Sequence, residues 1–334
     1  MNERESGSFQ PEVERPTRLR EYLAELEKRN DKRVASREEQ PDGRLIIETR
    51  EGEKYTIERL TDPEDPRLRE AHALMSSEFN EDVMDDLETL QSALAGKVIG
   101  SEEDLDTPLQ IHIIEREGRV VGTSQSATLK CLDSDGSETG KKMVMVTSLV
   151  TEKSTRQTGA GTELWRKLVL DASRSEEISA VVDEAAGKAE TFYETVGMRR
   201  LFIELEDGTM AEIPYYQSVL ADSWNKKTGE PLAGNKPEPL HFSAALVDRE
   251  TQEMTTQELM SQIRGVMNYD SYQVLGYFKG NRKAFDRHEE ILGQDIARLE
   301  QFLAQAKDGK VHLLSKKERK ESGKTVIDHK SLDD

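Results

Sequence analysis

Six residues, Arg156-Gln157-Thr158-Gly159-Ala160-Gly161, stand between an apolar run and an amphipathic segment. The run is Met143-Val144-Met145-Val146-Thr147-Ser148-Leu149-Val150; the segment carries Leu164, Trp165, Leu168, Val169 and Ala172 at helical spacing. A strand feeding a glycine turn and then a helix aims several backbone N–H groups, and the positive end of a helix dipole, at one spot. Such a spot binds phosphate. Glycine matters there because a Cβ would hold a pyrophosphate away from the amides. A plain tight turn capping the helix has the same letters, so the turn alone leaves both readings open.

The next segment adds a second signal. Ile178-Ser179-Ala180-Val181-Val182 reads as a buried strand, and Ala189 to Met198 as a short helix stopped by Gly197. Upstream, Gln110–Glu115 and Arg119–Gly122 flank the turn Glu117-Gly118 as a hairpin. In this order the three segments resemble the GCN5-related N-acetyltransferase superfamily. That family has an Arg/Gln-x-x-Gly-x-Gly/Ala turn, matched by Arg156, Gly159 and Gly161, and a later Ala-x-x-x-Tyr-x-x-x-Gly helix, matched by Ala189, Tyr193 and Gly197. The resemblance covers about Tyr55 to Ala221.

The resemblance implies an α/β fold with a mixed central sheet flanked by helices, and acetyl-CoA as acyl donor. The pyrophosphate would rest on Arg156, Gln157, Thr158, Gly159, Ala160, Gly161 and Thr162. The backbone of Leu149 and Val150 would hold the pantetheine amides between two splayed strands. Tyr193 matches the family's general acid, which protonates the departing thiolate; a ring that only packs against Phe192 is the competing reading. Two features depart from the family pattern: Ala186 stands where an Asn commonly holds the pantetheine arm, and Thr151–Thr155 lacks a common Pro. The strand Met143–Val150 also has no acid to act as base, which leaves Glu152 and Glu184 as candidates.

Other segments must position these residues. A helix is expected from Thr17 to Asn30 with Leu19, Tyr22, Leu23 and Leu26 on one face, and a hairpin from Leu45–Thr49 and Tyr55–Leu60 around Glu51-Gly52. Helices follow from Pro66 and from Asp85 to Leu94. Past the family match, Thr255-x-x-Glu258 is a capping box before Leu259, Ile263, Val266 and Met267. Tyr272–Phe278 reads as a strand, and Phe285 to Leu303 as a long amphipathic docking helix. The division expected is 1–43, a partly disordered N-terminal extension with one helix; 44–222, the acyltransferase-like domain; 223–240, a linker; 241–315, an α+β C-terminal extension; and 316–334, a solvated tail.

Composition bounds the function. The 334 residues are 35% hydrophobic and 34% charged, with mean hydropathy -0.74. One cysteine, Cys131, allows no internal disulfide, which fits a reducing cytoplasm. Neither a secretory signal nor a membrane span is legible. A net charge of -19 repels nucleic acid and anionic membranes and favours an amine as acceptor. Six scattered histidines give no metal-ligand spacing. Gly136–Lys141 resembles a nucleotide loop but has glycines one residue too close and Lys142 in place of Ser/Thr, so it reads as a hairpin loop. The pairs Asp85-Asp86 and Asp183-Glu184 are expected to be solvated.

Three functions follow. The first is acetyl transfer from acetyl-CoA to a primary amine of a small molecule or protein. The second is a non-catalytic acetyl-CoA-binding module whose terminal extensions bind a protein partner; the same extensions are surfaces for homo-oligomer contact. The third, transfer to an amine carried by a nucleic acid, is disfavoured by the charge.

Overall fold

A computed structural model describes residues 17–79, 86–97, 109–174, 178–185, 190–216, 225, 227–230, 239–277 and 281–327. It is a mixed α/β structure in which one large sheet carries helices on both faces. The chain opens with α1 (Thr17–Asn30), β1 (Val34–Glu39), β2 (Leu45–Thr49), β3 (Lys54–Leu60), α2 (Arg67–Glu78) and α3 (Leu87–Leu94). There follow β4 (Gln110–Arg116), β5 (Arg119–Leu132), β6 (Glu138–Thr151), α4 (Ala160–Ala172), β7 (Ile178–Ala185), α5 (Glu190–Thr195) and β8 (Arg199–Glu204). The last part holds β9 (Met210–Glu212), β10 (Tyr215–Tyr216), β11 (Pro239–Leu246), β12 (Glu253–Thr255), α6 (Thr256–Tyr277), α7 (Arg282–Leu303), β13 (Lys310–Leu314), α8 (Lys316–Glu321) and β14 (Val326–Ile327).

The main path across the sheet is β1-β2-β3-β4-β5-β6-β7-β11-β8-β13-β12. Neighbours on this path pair antiparallel except β6 with β7, which is the parallel pair at the centre. That pair needs a crossover, and α4 supplies it. Alternation along the strands sorts the core into two faces. Val144, Val146 and Val181 turn toward α1 and α4, where Leu19, Leu23, Leu26, Trp165 and Leu168 cover them. Met143, Met145, Ala180 and Val182 turn the other way, onto Leu259, Ile263 and Val266 of α6 and Leu299 and Leu303 of α7. α2 and α3 close the far end of that second face over Ile111, Ile113 and Val150.

Several expectations change at this level. Beyond the expected helix, the first 43 residues contribute a strand, β1, paired with β2. Tyr272–Tyr277 continues α6 and is not a strand. The capping box, with Glu258 N–H donating to Thr255 Oγ1 at 3.1 Å and Thr255 N–H to Glu258 Oε2 at 2.9 Å, starts a helix that propagates through a β-prone stretch.

The region 241–315 is not appended to the sheet but built into it. β11 lies between β7 and β8, in register with β7 from His241↔Ala185 to Leu246↔Ala180. A strand bonded on both sides cannot leave without opening the core, so the sheet does not end at residue 222. Within the expected tail, α8 is closed by a Ser315/Glu318 capping box and β14 pairs in parallel with β9. The expected linker lies mostly outside the described residues; its part at 227–230 touches α7, where Asn281 Nδ2 donates to the Lys227 carbonyl at 3.1 Å.

Candidate functional site

β6 and β7 hold register only from Lys142↔Ile178 to Val146↔Asp183. Beyond that point β7 continues beside β11, while β6 stays with β5. The parting has a local cause. β6 carries one residue more than β5 between the pairs Ser126↔Val146 and Gln125↔Ser148, so Thr147 bulges. Thr147 is exposed although its neighbours Val146 and Ser148 are buried. Past the bulge β6 is paired with β5 and no longer with β7, so every second residue of this arm has its backbone groups on the edge away from β5. On the α2 face beside the bulge Met75 is fully buried, and its sulfur accepts from Gln125 Nε2 at 3.2 Å and Ser148 Oγ at 3.5 Å.

The arm of β6 beyond the opening delivers the chain to the glycine turn. Gln157 takes φ 71° and Gly159 φ 95°, both left-handed, which folds the backbone back sharply before α4. Thr158 Oγ1 donates to the Thr155 carbonyl at 2.8 Å and accepts from Ala160 N–H at 3.3 Å. Glu163 N–H reaches the Gly159 carbonyl at 3.1 Å. Among the described residues, the amides of Gln157, Thr158, Gly159, Gly161 and Thr162 have no acceptor in the chain. Gly161 and Thr162 lie in the first turn of α4, whose N–H groups have no intrahelical acceptor, and Gln157, Thr158 and Gly159 lead into it.

The two glycines do different things. A Cβ on Gly159 would meet Asn30 Oδ1 at 2.5 Å, so this glycine makes room for α1. A Cβ on Gly161 would find only ordinary contacts, Thr151 Cγ2 at 3.6 Å and Phe192 Cε2 at 3.8 Å. Asn30 Nδ2 donates to the Gly159 carbonyl and to Glu163 Oε1, both at 2.9 Å. Glu163 is fully buried beside the helix start, and Arg37 and Arg166 each pair with it at 2.9 Å. Two guanidiniums thus offset one carboxylate, and the dipole end stays attractive to anions. Arg156 itself is engaged within the chain, with Glu78 at 2.8 Å and the Thr151 carbonyl at 3.2 Å.

Tyr193 lies on α5 in an aromatic group, its ring centroid 5.9 Å from Trp165 and 5.6 Å from Phe192, both edge-on. Trp165 Nε1 donates to Tyr22 Oη at 2.8 Å, and Tyr22 Oη to the Val196 carbonyl at 2.7 Å, which ties α1, α4 and α5 together. Burial, and then the Asp183 carboxyl beside it, push the Tyr193 phenol well above its ordinary value. Asp183 is not solvated as the sequence led one to expect: it is 1% exposed, at the last register pair before the strands part. Neither of its carboxyl oxygens has a hydrogen bond of normal geometry. Tyr193 and the Ser243 hydroxyl of β11 are its polar neighbours. Burial, followed by the charge of Glu184, raises the Asp183 carboxyl well above the usual carboxylate range.

Neither expected base faces this group. Glu152 forms a fork with Arg119 at 2.9 and 3.1 Å, and Glu184 follows Asp183 in the strand, so its side chain leaves by the opposite face. Ala186 and Ala189 lie outside the described residues. No sequence signal singled out Ser243, Gln125 or Ser148. A cavity of 260 Å³ lies elsewhere, along α1, with Arg18, Arg29, Arg199 and Arg249 in its wall. Each of those arginines is paired with a carboxylate. No cluster of His, Cys, Asp and Glu able to hold a metal occurs among the described residues, and no helix there is long and apolar enough to cross a membrane.

The strand–turn–helix and the parted strands resemble the GCN5-related N-acetyltransferase arrangement. No family model matches the chain, and no curated protein does. Among solved structures, Naa50 of Arabidopsis thaliana in complex with the bisubstrate analogue CoA-Ac-MVNAL is 14% identical, with 57% of this chain and 97% of that one covered and a TM-score of 0.35. The ribosomal-protein-S18-alanine N-acetyltransferase of Escherichia coli is 12% identical, covering 59% and 97%, TM-score 0.34. The aminoglycoside acetyltransferase meta-AAC0020 from an uncultured soil metagenomic sample, with trehalose, is 21% identical, covering 42% and 86%, TM-score 0.32. At such values the likeness carries no statement about activity.

Proposed function

We propose that the protein is an N-acyltransferase that moves an acetyl group from acetyl-CoA to a primary amine. The observation that carries this reading is the conjunction of two features at one end of the parallel pair. β6 and β7 part at Val146/Asp183, and the arm of β6 beyond them leads to a turn at the head of α4 with five amides that have no acceptor among the described residues. The opening presents unpaired backbone for an amide-bearing arm, and the turn presents donors for a diphosphate. The absence of a Cβ on Gly161 keeps those donors approachable.

The thioester supplies an activated acyl group, and the remaining chemistry falls to the chain. Leu149 and Val150 hold the pantetheine amides through their backbone, and Arg156 to Thr162 hold the pyrophosphate. Tyr193, beside Asp183, serves as proton donor to the leaving sulfur. The amine approaches from the α2 face, where Thr147 is exposed. A net charge of -19 draws a cationic acceptor toward the protein.

The test is calorimetric titration with acetyl-CoA, followed by thiol release measured over a panel of small amines and amino-terminal peptides. Binding with amine-dependent thiol release is expected. Binding without release from any amine assigns the protein to the non-catalytic module class, and absence of binding overturns the reading.

A further inference from the structure

Asp183 is a group for which the reaction above has no use so far. Its side chain is buried at the point where the strands part, beside the Tyr193 phenol, with both oxygens lacking a normal hydrogen bond. It lies on the same face as Val181, toward α5, and Ser243 of β11 stands across from it in register. A carboxyl in such a place is a liability to folding unless it is held neutral or used. Its position says how it can be used.

We propose, on the acyltransferase reading above, that Asp183 works as the neutral acid behind Tyr193, a positioning and proton-relay residue that reloads the phenol as the sulfur departs. The amine nitrogen adds to the thioester carbon, and the carbonyl electron pair moves to oxygen. As the C=O bond re-forms, the C–S bond breaks and its pair leaves on sulfur. The Tyr193 O–H proton passes to that sulfur, and the Asp183 O–H proton passes to the Tyr193 oxygen. Asp183 ends as a carboxylate and regains a proton from solvent; the surplus proton of the new amide nitrogen is lost to solvent. No oxidant or further reactant is needed.

The physical reason lies in where the charge ends. Without the relay, proton transfer leaves a buried phenolate, from a group of ordinary pKa about 10 that this site makes less acidic still. With it, the charge ends on a carboxyl, which burial also makes less acidic but whose ordinary pKa, about 3.9, starts far below that of a phenol. Burial raises the Asp183 carboxyl, which keeps it protonated and available as a donor between turnovers. Ser243, in register across from it on β11, is the other polar group beside the carboxyl.

The experiment has one arm that needs no turnover. Isotope-edited infrared spectra of the full-length protein, wild type minus Asp183→Asn, are expected to show the C=O stretch of a neutral carboxylic acid at pH 7. A carboxylate signal there overturns the relay. In the kinetic arm, Asp183→Asn and Asp183→Ala are both made, and either soluble variant serves. Acetyl-CoA affinity should stay within about threefold while kcat falls at least about tenfold, and the alkaline limb of the kcat profile should move. Adding Tyr193→Phe to Asp183→Asn should cost no more than the worse single change, because both act on one proton. Multiplying losses, or a wild-type kcat in Asp183→Asn, overturn the relay alone. Absence of amine-dependent turnover in the wild type overturns the acyl-transfer reading beneath it.

Discussion

The two glycines of the turn separate folding from binding, and substituting each tests one half of the site. Gly159 has φ 95°, and a Cβ there falls 2.5 Å from Asn30 Oδ1 and 3.1 Å from Arg33 Cβ. The left-handed conformation costs a residue with a Cβ about 1–2 kcal/mol. Moving Asn30 loosens its bonds to the Gly159 carbonyl and Glu163, at about 1 kcal/mol each. Gly159→Ala should therefore lose about 3–4 kcal/mol. At roughly 2 °C per kcal/mol for a chain of this size, Tm should drop by about 6–8 °C in differential scanning fluorimetry. Gly161 is the second residue of α4, and a methyl there meets atoms no nearer than 3.6 Å. Alanine in a helix is favoured over glycine by about 0.5–1 kcal/mol, so Gly161→Ala should leave Tm unchanged or slightly raised. The turn tolerates a methyl at this place, since the family pattern has Gly or Ala there, so the binding half is tested with Gly161→Glu, which sets a carboxylate among the amides. Losing one hydrogen bond to a charged phosphate costs about 1.5–3 kcal/mol, so Kd for acetyl-CoA in calorimetry should rise at least about tenfold. A native Kd in Gly161→Glu refutes the binding half, and a native Tm in Gly159→Ala refutes the packing half.

Three further outcomes are expected. Tyr193→Phe keeps the ring packing and deletes the proton, so kcat should fall about 10²-fold or more with acetyl-CoA affinity kept; an unimpaired variant removes Tyr193 from the mechanism. A chain ended before Pro239 lacks β11 and exposes the edges of β7 and β8, so it should give no cooperative thermal transition; a sharp one would show that the sheet closes without that strand. His112 is fully buried on β4, 3.0 Å from Asp171, which also pairs with Lys167 at 2.5 Å; burial lowers its pKa, while Asp171 opposes and Lys167 and Arg59 reinforce the shift. A depressed folded pKa gives stability that is full above the unfolded value of about 6.5 and is lost as pH falls below it, so urea midpoints should decline from pH 7 to 5 in wild type and less in His112→Gln.

Much of the scaffold was legible because it is local. α1 begins and ends at the residues that the spacing of Leu19, Leu23 and Leu26 marks out, and Gly197, at φ 86°, stops the chain after α5. The capping box at Thr255 and the stripe from Phe285 to Leu303 also gave their helices from a few neighbouring letters. Tyr272–Tyr277 failed for a matching reason: six β-prone residues carry less weight than a nucleated helix running into them. β11 was missed as part of the sheet because Pro239–Leu246 follows a stretch rich in Pro, Gly and Lys, whose composition signals a boundary and says nothing about which strands the chain rejoins.

That non-local return also explains why the chemistry of the opening was only half legible. The turn and Tyr193 are written in short motifs, so their letters could be read in place. Asp183 has no such marker: beside Glu184 it looks like any solvated acidic pair, and alternation alone sends the two to opposite faces without saying which face is dry. What dries the Asp183 side is the packing of α5 over that face and the arrival of β11 on the far edge of β7, bringing Ser243 from 60 residues along the chain. The bulge at Thr147 is of the same kind, since one surplus residue in β6 is visible only once β5 is laid beside it. A buried acid at a strand junction is therefore a property of the sheet order. It was beyond the reach of any motif in this chain, and it becomes readable when the register of β6, β7 and β11 is known.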